Sequence, residues 1–258
     1  MEFNPGLDIG IEFNPMNFIY GKNMTGPIPE IRYLKDIRGS LAEPDCVGPD
    51  QLYCIAMDVA EKEDHRDLIN RNLLYGVVSY SAGQLGSEPI RSQGHIHAIS
   101  KSCNSSTCEV YEIWDGEAYI YMQESGEDNP GKCYAVYAKA SDVVIVPPGW
   151  VHATVNANVN KNMVFGAWCV RDYGFDYRAV KAHHGIAFFP KVQGDKIIWE
   201  ENPHYVNGSL TVKSARIYED FGLKPGISIY EQYQINPSLF EFVPQPQCKE
   251  KEWGQYEP

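Results

Sequence analysis

Short apolar runs separated by turn residues dominate the chain from residue 52 onward. Their members are mostly β-branched or aromatic, and turn clusters such as Asp128-Asn129-Pro130-Gly131 bound them. The clearest runs are residues 52–59, 73–80, 110–114, 118–122, 143–146 and 163–170. Many short strands at close spacing are typical of a sandwich, jelly roll or barrel, so we predict an all-β fold.

The two ends of the chain carry weaker patterns. The first 51 residues are rich in Pro, Gly and Asn, which predicts irregular structure and short edge strands that cover the barrel. Near the other end, segments 210–218 and 227–233 alternate enough to be strands. The Pro-containing tail 244–258 is expected to be partly disordered.

Nothing in the sequence divides the chain into separate units. Helical periodicity is persuasive nowhere, and no repeat, low-complexity tract or linker is present. We therefore predict a single domain over residues 1–258. It would have a core at about 52–205, an N-terminal cover at 1–51 and a C-terminal extension at 206–258.

Charge and composition exclude some classes of function. With a formal net charge of -12, the chain lacks the basic surface that a nucleic-acid-binding protein needs. The sequence opens without the basic and apolar regions of a signal peptide, and no run reaches the roughly 18 apolar residues of a membrane span. We expect a cytoplasmic protein with neither nucleic-acid nor membrane partners.

Seven cysteines are present, and no two of them form a C-x-x-C pair. In a cytosolic protein reduced thiols are the expected state. Pairing of Cys103 with Cys108 across a local loop stays open.

Three histidines and a glutamate are spaced like a metal site. His95 and His97 lie two residues apart, so in a strand both imidazoles face the same side. A buried strand then ends at a Pro-Pro-Gly turn that delivers His152, and another strand starts at Glu109. Together the four groups would bind one divalent cation and leave positions for water or substrate.

The carboxylate of this set is open to an alternative, because Glu112 lies three residues beyond Glu109. Strand alternation places Glu109 on the same face as Tyr111 and turns Glu112 to the other face. We prefer Glu109. We read His183, His184 and His204 as histidines outside the site.

The same residues resemble the two motifs of the cupin superfamily. The second motif reads Asp142-x4-Pro147-x-Gly149-x2-His152-x3-Asn156, with Ser141 where cupins have Gly. The first keeps His95-x-His97 and Glu109-x6-Gly116, but residues 98–108 separate its two parts and the leading Gly is missing. The resemblance implies a cupin β-barrel, that is, a double-stranded β-helix or jelly roll, with N-terminal and C-terminal extensions.

Within the cupins the chain is most similar to the archaeal-type, metal-dependent glucose-6-phosphate isomerase family. The similarity rests on segments 94–98, 109–111, 146–156 and 172–177, and extends weakly to 185–189 and 200–203. It implies an isomerase of glycolysis and gluconeogenesis that binds a sugar phosphate and forms a homodimer. His95, His97, Glu109 and His152 would hold the metal, while Tyr53, Tyr111 and Tyr177 would line the sugar pocket.

The phosphate end of the implied site departs from the family. Val78 and Cys169 replace a Thr and a Tyr, whereas Gly94 is kept and Ser92 stands for a phosphate-contacting Thr. Ser79 could supply the hydroxyl that Val78 lacks. Arg91 could instead pair with the phosphate directly, since strict alternation would place it on the face of His95. Arg91 and Ser92 cannot both face the phosphate in a regular strand, because adjacent residues point to opposite faces.

The mechanism also has alternatives at this stage. A divalent ion suits aldose-ketose isomerisation because it stabilises negative charge on two neighbouring sugar oxygens, and Glu109 is the candidate base. Whether hydrogen moves as a proton through an enediol or as a hydride stays open, as does the choice among Fe²⁺, Mn²⁺, Ni²⁺ and Zn²⁺. The other hypotheses are an iron(II) cupin dioxygenase and a non-catalytic sugar-binding cupin.

Overall fold

The computed structural model describes the whole chain, residues 1–258. It consists mostly of short strands connected by turns. The strands are β1 (Ile9–Phe13), β2 (Met16–Tyr20), β3 (Met24–Thr25), β4 (Glu30–Tyr33), β5 (Gln51–Met57), β6 (Ala60–Glu61), β7 (Leu73–Tyr80), β8 (Gln84–Leu85), β9 (Glu88–Pro89), β10 (Ile96–His97), β11 (Glu109–Asp115), β12 (Glu117–Gln123), β13 (Lys132–Lys139), β14 (Val143–Val146), β15 (Val151–Asn156), β16 (Met163–Val170), β17 (Phe175–Asp176), β18 (Phe188–Gln193), β19 (Lys196–Glu201) and β20 (Ser209–Ser214).

Helical structure is confined to short pieces. The α-helices are α1 (Leu34–Ile37), α2 (His65–Asn70), α3 (Arg178–Ala182), α4 (Ile229–Ile235) and α5 (Glu250–Gly254), and single 3-10 turns cover Arg38–Ser40, Glu219–Phe221, Pro237–Phe240 and Pro246–Lys249. None of the helices has both the length and the apolar composition that a membrane crossing requires.

Two sheets build the body of the fold. A six-stranded sheet has the order β14-β11-β16-β7-β5-β4, and a four-stranded sheet has the order β15-β12-β13-β20. Side chains between them form one buried cluster, to which Tyr53, Tyr111 and Phe165 contribute from the larger sheet and Ile120 and Val136 from the smaller. The sheets are the two halves of a cupin β-barrel, which confirms the predicted fold class.

Strand β16 shows why the larger sheet is buried on both faces. All eight of its residues are buried, and they are almost entirely β-branched, aromatic or small. Phe165 and Ala167 point into the barrel, whereas Val164 and Trp168 belong to a second cluster on the outer face. An apolar outer face requires a cover from elsewhere in the chain.

Both termini supply that cover. The N-terminal segment places Leu7, Ile9, Met16 and Phe18 in the outer cluster. The C-terminal segment adds an aromatic layer made of Tyr218, Phe221, Tyr230, Tyr233, Phe240 and Phe242. Trp168 stacks on the ring of Tyr230 at a centroid distance of 5.5 Å, so this layer contacts the central strand of the sheet directly.

The C-terminal segment differs from its predicted structure in two places. Residues 227–233 were predicted as a strand, but α4 begins there because the Ser228 hydroxyl accepts the Glu231 amide at 3.0 Å as an N-cap. Tyr230 and Tyr233, three residues apart, then share one helix face toward Trp168. The predicted strand at 210–218 forms only as β20, which pairs in parallel with β13.

The prediction of a partly disordered tail at 244–258 is also wrong. Trp253 donates its indole N–H to the Pro246 carbonyl at 2.7 Å within the tail. The Tyr256 hydroxyl donates to the backbone carbonyl of Ile145 in edge strand β14. These contacts hold the tail against the barrel.

A buried carboxyl group joins the barrel to the C-terminal segment. Glu112 lies on the outer face of β11 with 1% of its surface exposed, and it accepts hydrogen bonds from the Ile229 amide at 2.8 Å and the Trp114 indole at 3.2 Å. Burial raises the pKa of Glu112 to about 8, although these two donors oppose the shift. The group is therefore neutral in the folded protein at neutral pH.

This raised pKa makes stability depend on pH. An unfolded Glu titrates at about 4.3, so between that pH and about 8 the native state keeps a proton that the unfolded state has released. The contribution of Glu112 is complete below the unfolded pKa and is lost as pH rises through the folded pKa. Glu112→Gln removes this dependence, so urea unfolding should show the variant gaining stability relative to wild type from pH 6 to pH 9. A stability difference that stays constant over this range would contradict the assignment.

Candidate active site

Four potential metal ligands converge at one end of the barrel. The donor atoms of His95, His97, Glu109 and His152 all lie within 4.8 Å of one another. Glu109 opens β11, His97 closes β10, and His152 is the second residue of β15. His95 is fixed by two backbone hydrogen bonds to His152, of 3.0 and 2.9 Å, so the segments that carry the ligands are bonded to each other.

Backbone carbonyls set the orientation of two of the imidazoles. Nδ1 of His97 lies 3.0 Å from the Thr107 carbonyl, and Nδ1 of His152 lies 3.1 Å from the Trp150 carbonyl. A carbonyl only accepts, so each Nδ1 carries the hydrogen. The Nε2 atoms, which lack a hydrogen in the neutral rings, are left to face Glu109. Histidines that bind a metal ion usually donate their other ring N–H to such a carbonyl, which fixes the ring.

The two Nε2 atoms lie close to the same oxygen of the Glu109 carboxylate. Oε2 of Glu109 lies 3.1 Å from Nε2 of His97 and 3.2 Å from Nε2 of His152. Ligand atoms bound side by side on one transition-metal ion lie about 3 Å apart, given bond lengths of about 2.0–2.2 Å. Neutral imidazoles would turn lone pairs toward a carboxylate here, and a cation bound among them removes that repulsion.

His95 completes the set with an atom that has no other partner. Its Nε2 is buried and makes no hydrogen bond in the structure. A buried polar atom without a partner is costly, and binding a metal ion would satisfy it. The residues present therefore fit a divalent cation with imidazole and carboxylate ligands.

The protonation states of the site suit metal binding. Burial, together with the neighbouring His152 and His97, holds the pKa of His95 well below its usual value, and burial also lowers the pKa of His152. Burial would raise the pKa of Glu109, but hydrogen bonds and charge from the His152 and His97 rings in their protonated form outweigh it and hold that pKa well below the usual range. Neutral imidazoles beside an ionised carboxylate are the forms that bind a metal ion.

The two oxygens of the Glu109 carboxylate differ in their hydrogen bonding. The Tyr111 hydroxyl donates to Oε2 at 2.8 Å, so all three hydrogen-bond partners of the carboxylate use the same oxygen. Oε1 makes no hydrogen bond in the structure, and Glu109 lines the cavity described below. Glu112, the alternative carboxylate, lies on the opposite face of β11, as strand alternation predicts.

The long insertion between His97 and Glu109 does not separate the two ligands. Within it, Ser100 and Ser102 donate hydrogen bonds to the carboxylate of Asp172. At its end, Ser106 donates to the His97 carbonyl at 2.8 Å and accepts the Gly149 amide at 3.0 Å. The insertion is thus held at several points, and it brings the first motif against the Pro-Pro-Gly turn of the second.

A cavity of about 560 Å³, counting the part open to solvent, is lined by three of the four ligands, His95, Glu109 and His152. Five of the predicted substrate contacts lie in its wall: Tyr53, Ser92, Gly94, Tyr111 and Tyr177. Gly94 has φ +90°, and a Cβ there would lie 2.7 Å from Cγ2 of Ile186, so only glycine fits this part of the wall.

Two predicted contacts lie outside the cavity, and both predictions need correction. Ser79 is fully buried on the outer face of β7, because it alternates with Val78, which lines the cavity. Arg91 is fully buried as well, and its guanidinium binds Glu88 at 2.6 Å and the Ser40 carbonyl at 2.5 Å. Arg91 thus fixes the N-terminal segment to the barrel and is not available to a ligand.

The remaining histidines and cysteines lie away from the four ligands, with one exception. His183 is hydrogen-bonded to Asp128 at 3.0 Å, while the exposed rings of His184 and His204 lie against each other outside the cavity. All seven cysteines are free thiols. Cys169 is the exception, because its buried thiol lies beside Glu109, and burial raises its pKa well above the usual value.

The sequence analysis missed several residues of the cavity wall. These are Arg32, Ile55, Met57, Tyr80, Gln93, Thr154, Phe165 and Phe175. Arg32 lies on edge strand β4, inside the segment that was predicted only as a cover. No spacing rule connects that strand with the cupin motifs, so only the pairing of β4 with β5 reveals its position.

Comparison with known proteins shows which family the chain matches. The chain matches the family described as Glucose-6-phosphate isomerase (GPI) over residues 40–207. The glucose-6-phosphate isomerase of Thermococcus litoralis is 24% identical over 182 residues, covering 68% of this chain and 86% of the relative. That of Thermococcus gammatolerans is 26% identical over 190 residues, covering 70% and 92%. Among solved structures, a vicilin from Corylus avellana shares 15% identity at a TM-score of 0.36, covering 50% of this chain and 33% of its own. Because the family match spans well over half of the chain, the protein belongs to the glucose-6-phosphate isomerase family.

Proposed function

We propose that the protein interconverts glucose 6-phosphate and fructose 6-phosphate and that one divalent ion, Fe²⁺, Mn²⁺, Ni²⁺ or Zn²⁺, serves the reaction. His95, His97, Glu109 and His152 would hold the ion. The observation that carries the proposal is the convergence of these four donor atoms within 4.8 Å at the end of a cavity, in a chain that matches the isomerase family. Such a reaction belongs to glycolysis and gluconeogenesis.

The chemistry requires hydrogen to move between C1 and C2 while negative charge builds on the neighbouring oxygens. A divalent ion, when bound, supplies Lewis-acid stabilisation of that charge. Glu109 is the catalytic residue of this proposal, because it lines the cavity and its Oε1 makes no hydrogen bond while Oε2 is occupied. Oε1 can take a proton from one carbon and return it to the other. Tyr111 keeps the carboxylate in this orientation through its hydrogen bond to Oε2.

The remaining wall residues would hold the sugar chain. Tyr53, Tyr111 and Tyr177 present phenol groups to the cavity and would contact sugar hydroxyls. The Ser92–Gly94 segment would lie against the phosphate, because the amides of Gln93 and Gly94 donate no hydrogen bond within the chain. Free amide N–H groups in the wall of a cavity suit an anionic group.

Fructose 6-phosphate conversion by chelated protein, measured before and after each metal ion is added back, tests this function. We expect no turnover after chelation and recovery with at least one of the four ions. Consumption of O₂ without isomerisation would instead indicate a dioxygenase. Sugar binding without turnover under any metal would indicate a non-catalytic cupin, and either result would contradict the proposal.

Metal content provides a second test that does not depend on activity. Wild-type protein should carry about one divalent ion per chain after reconstitution, and His152→Ala should lose most of it, because His152 contributes a buried ligand and fixes His95. His204→Ala is the matched control, since that histidine is exposed and lies outside the cavity. Elemental analysis that found equal metal loss in the two variants would show that the ligands are misassigned.

We also propose that the protein forms a homodimer in the cytoplasm. Seven free thiols suit a reducing compartment. Strand β4 ends the six-stranded sheet without a further strand beside it, and Ile28, next to this edge, is 94% exposed. An open edge with an exposed apolar residue suits pairing with a second copy.

Light scattering at micromolar concentration tests the assembly. We expect a mass twice that of one chain. A monomer would contradict the dimer and would indicate that the N-terminal and C-terminal segments already cover the sheets sufficiently.

A further inference from the structure

One cation stands in the wall of the cavity. Arg32 is the only Lys or Arg among the residues that line it. It lies on β4 directly across from Tyr53 on β5, so the strand register fixes it beside the predicted sugar pocket. Its side chain is 24% exposed, which leaves the guanidinium accessible from the mouth of the cavity.

The partners of Arg32 leave part of its hydrogen-bonding capacity free. Burial raises the pKa of Tyr53 and of Tyr177, and the charge of Arg32 opposes both shifts, so the guanidinium lies close to both phenols. Its one ion-pair partner is Glu30. The Glu30 carboxylate is 63% exposed, and ion pairs with so exposed a partner are weak. A guanidinium has five N–H donors, and Glu30 together with the two phenol oxygens does not occupy all of them.

Two backbone amides in the cavity wall offer further donors. Gln93 and Gly94 line the cavity and have amide N–H groups without an acceptor in the chain. The wall also includes Val78, whose side chain can donate nothing. A phosphate bound to the two amides alone would retain most of its charge uncompensated.

We infer that Arg32 binds the phosphate group of the substrate and sets the preference of the enzyme for a phosphorylated sugar. This inference rests on the proposed isomerase function. A guanidinium binds phosphate oxygens in a bidentate geometry that matches their spacing. The chain has a net charge of -12, so a sugar phosphate dianion approaches against the overall field and requires a local cation. When the phosphate binds, Glu30 either leaves the guanidinium or stays hydrogen-bonded to the N–H groups that the phosphate does not use.

Steady-state kinetics of four variants of the metal-loaded enzyme test the inference. Arg32→Gln should raise KM for fructose 6-phosphate at least about tenfold and change kcat little, because a lost bond to a charged group weakens binding by about that factor or more. Arg32→Lys should give an intermediate KM, since lysine keeps the positive charge but cannot form the bidentate pair of hydrogen bonds. Glu30→Gln should lower KM by removing the competing carboxylate. The matched control is Arg178→Gln, because Arg178 also pairs with a carboxylate two residues away, Asp176, but lies outside the cavity.

Binding of inorganic phosphate provides a second test that does not depend on turnover. Titration calorimetry should show that phosphate binds wild type and Arg178→Gln alike and binds Arg32→Gln at least about tenfold more weakly. Thermal melting of each variant verifies that it is folded. An unchanged KM in Arg32→Gln, a fall in kcat without a change in KM, or equal phosphate affinity in all variants would each overturn the inference. If wild type fails to isomerise the sugar, the proposed function fails, whereas the phosphate titration still decides the role of Arg32.

Discussion

Alternation of side chains along β11 separates two buried carboxyl groups that have opposite environments. Glu109 points into the barrel, where imidazoles surround it and keep its pKa low, while Glu112 points to the outer face, where burial raises its pKa to about 8. One strand thus presents a charged group to the cavity and a neutral acceptor to the C-terminal segment. Both the site and the cover depend on this register, because a shift by one residue would exchange the two carboxyl groups.

The outer cover also has a part in shaping the site. The larger sheet carries Tyr53, Tyr111 and Val78 on the face that lines the cavity. Its other face is apolar and is buried under aromatic residues from both ends of the chain. Close packing on both faces restricts movement of the strands, so the side chains of the cavity are held in place by contacts made on the far side of the sheet.

The cavity wall contains groups suited to both signs of charge. Glu109 and three imidazoles form a cluster that suits a cation, and Arg32 provides a positive charge in the wall that suits an anion. A sugar phosphate has the matching polarity, since its carbonyl end coordinates a metal ion and its other end carries negative charge. On the proposed function, charged groups in the cavity as well as its shape would select the substrate.

Sequence patterns predicted the parts of the site that depend on local rules. Strand parity placed His95 and His97 together and separated Glu109 from Glu112, and the Pro-Pro-Gly turn placed His152. Parity failed for Arg91, because the Ser92–Gly94 segment is not a strand and the positive φ of Gly94 interrupts the alternation. The sequence could not reveal Arg32, because the long connection 34–50 leaves the register of β4 on β5 undetermined.

The helix α4 escaped prediction for a related reason. Its apolar residues fit either a strand or a helix over so short a length, and the choice is made by contact with Trp168, which lies far away in the sequence. Such long-range packing is not visible in a local pattern. The same holds for the tail, whose order depends on contacts of Tyr256 with β14.

Anomalous X-ray diffraction from crystals of the zinc-loaded protein tests the central claim most directly. The account predicts a single zinc peak within about 2.0–2.2 Å of Nε2 of His95, His97 and His152 and of a Glu109 carboxylate oxygen. A zinc peak elsewhere on the chain, or fully loaded protein with no peak among these four residues, would contradict the account.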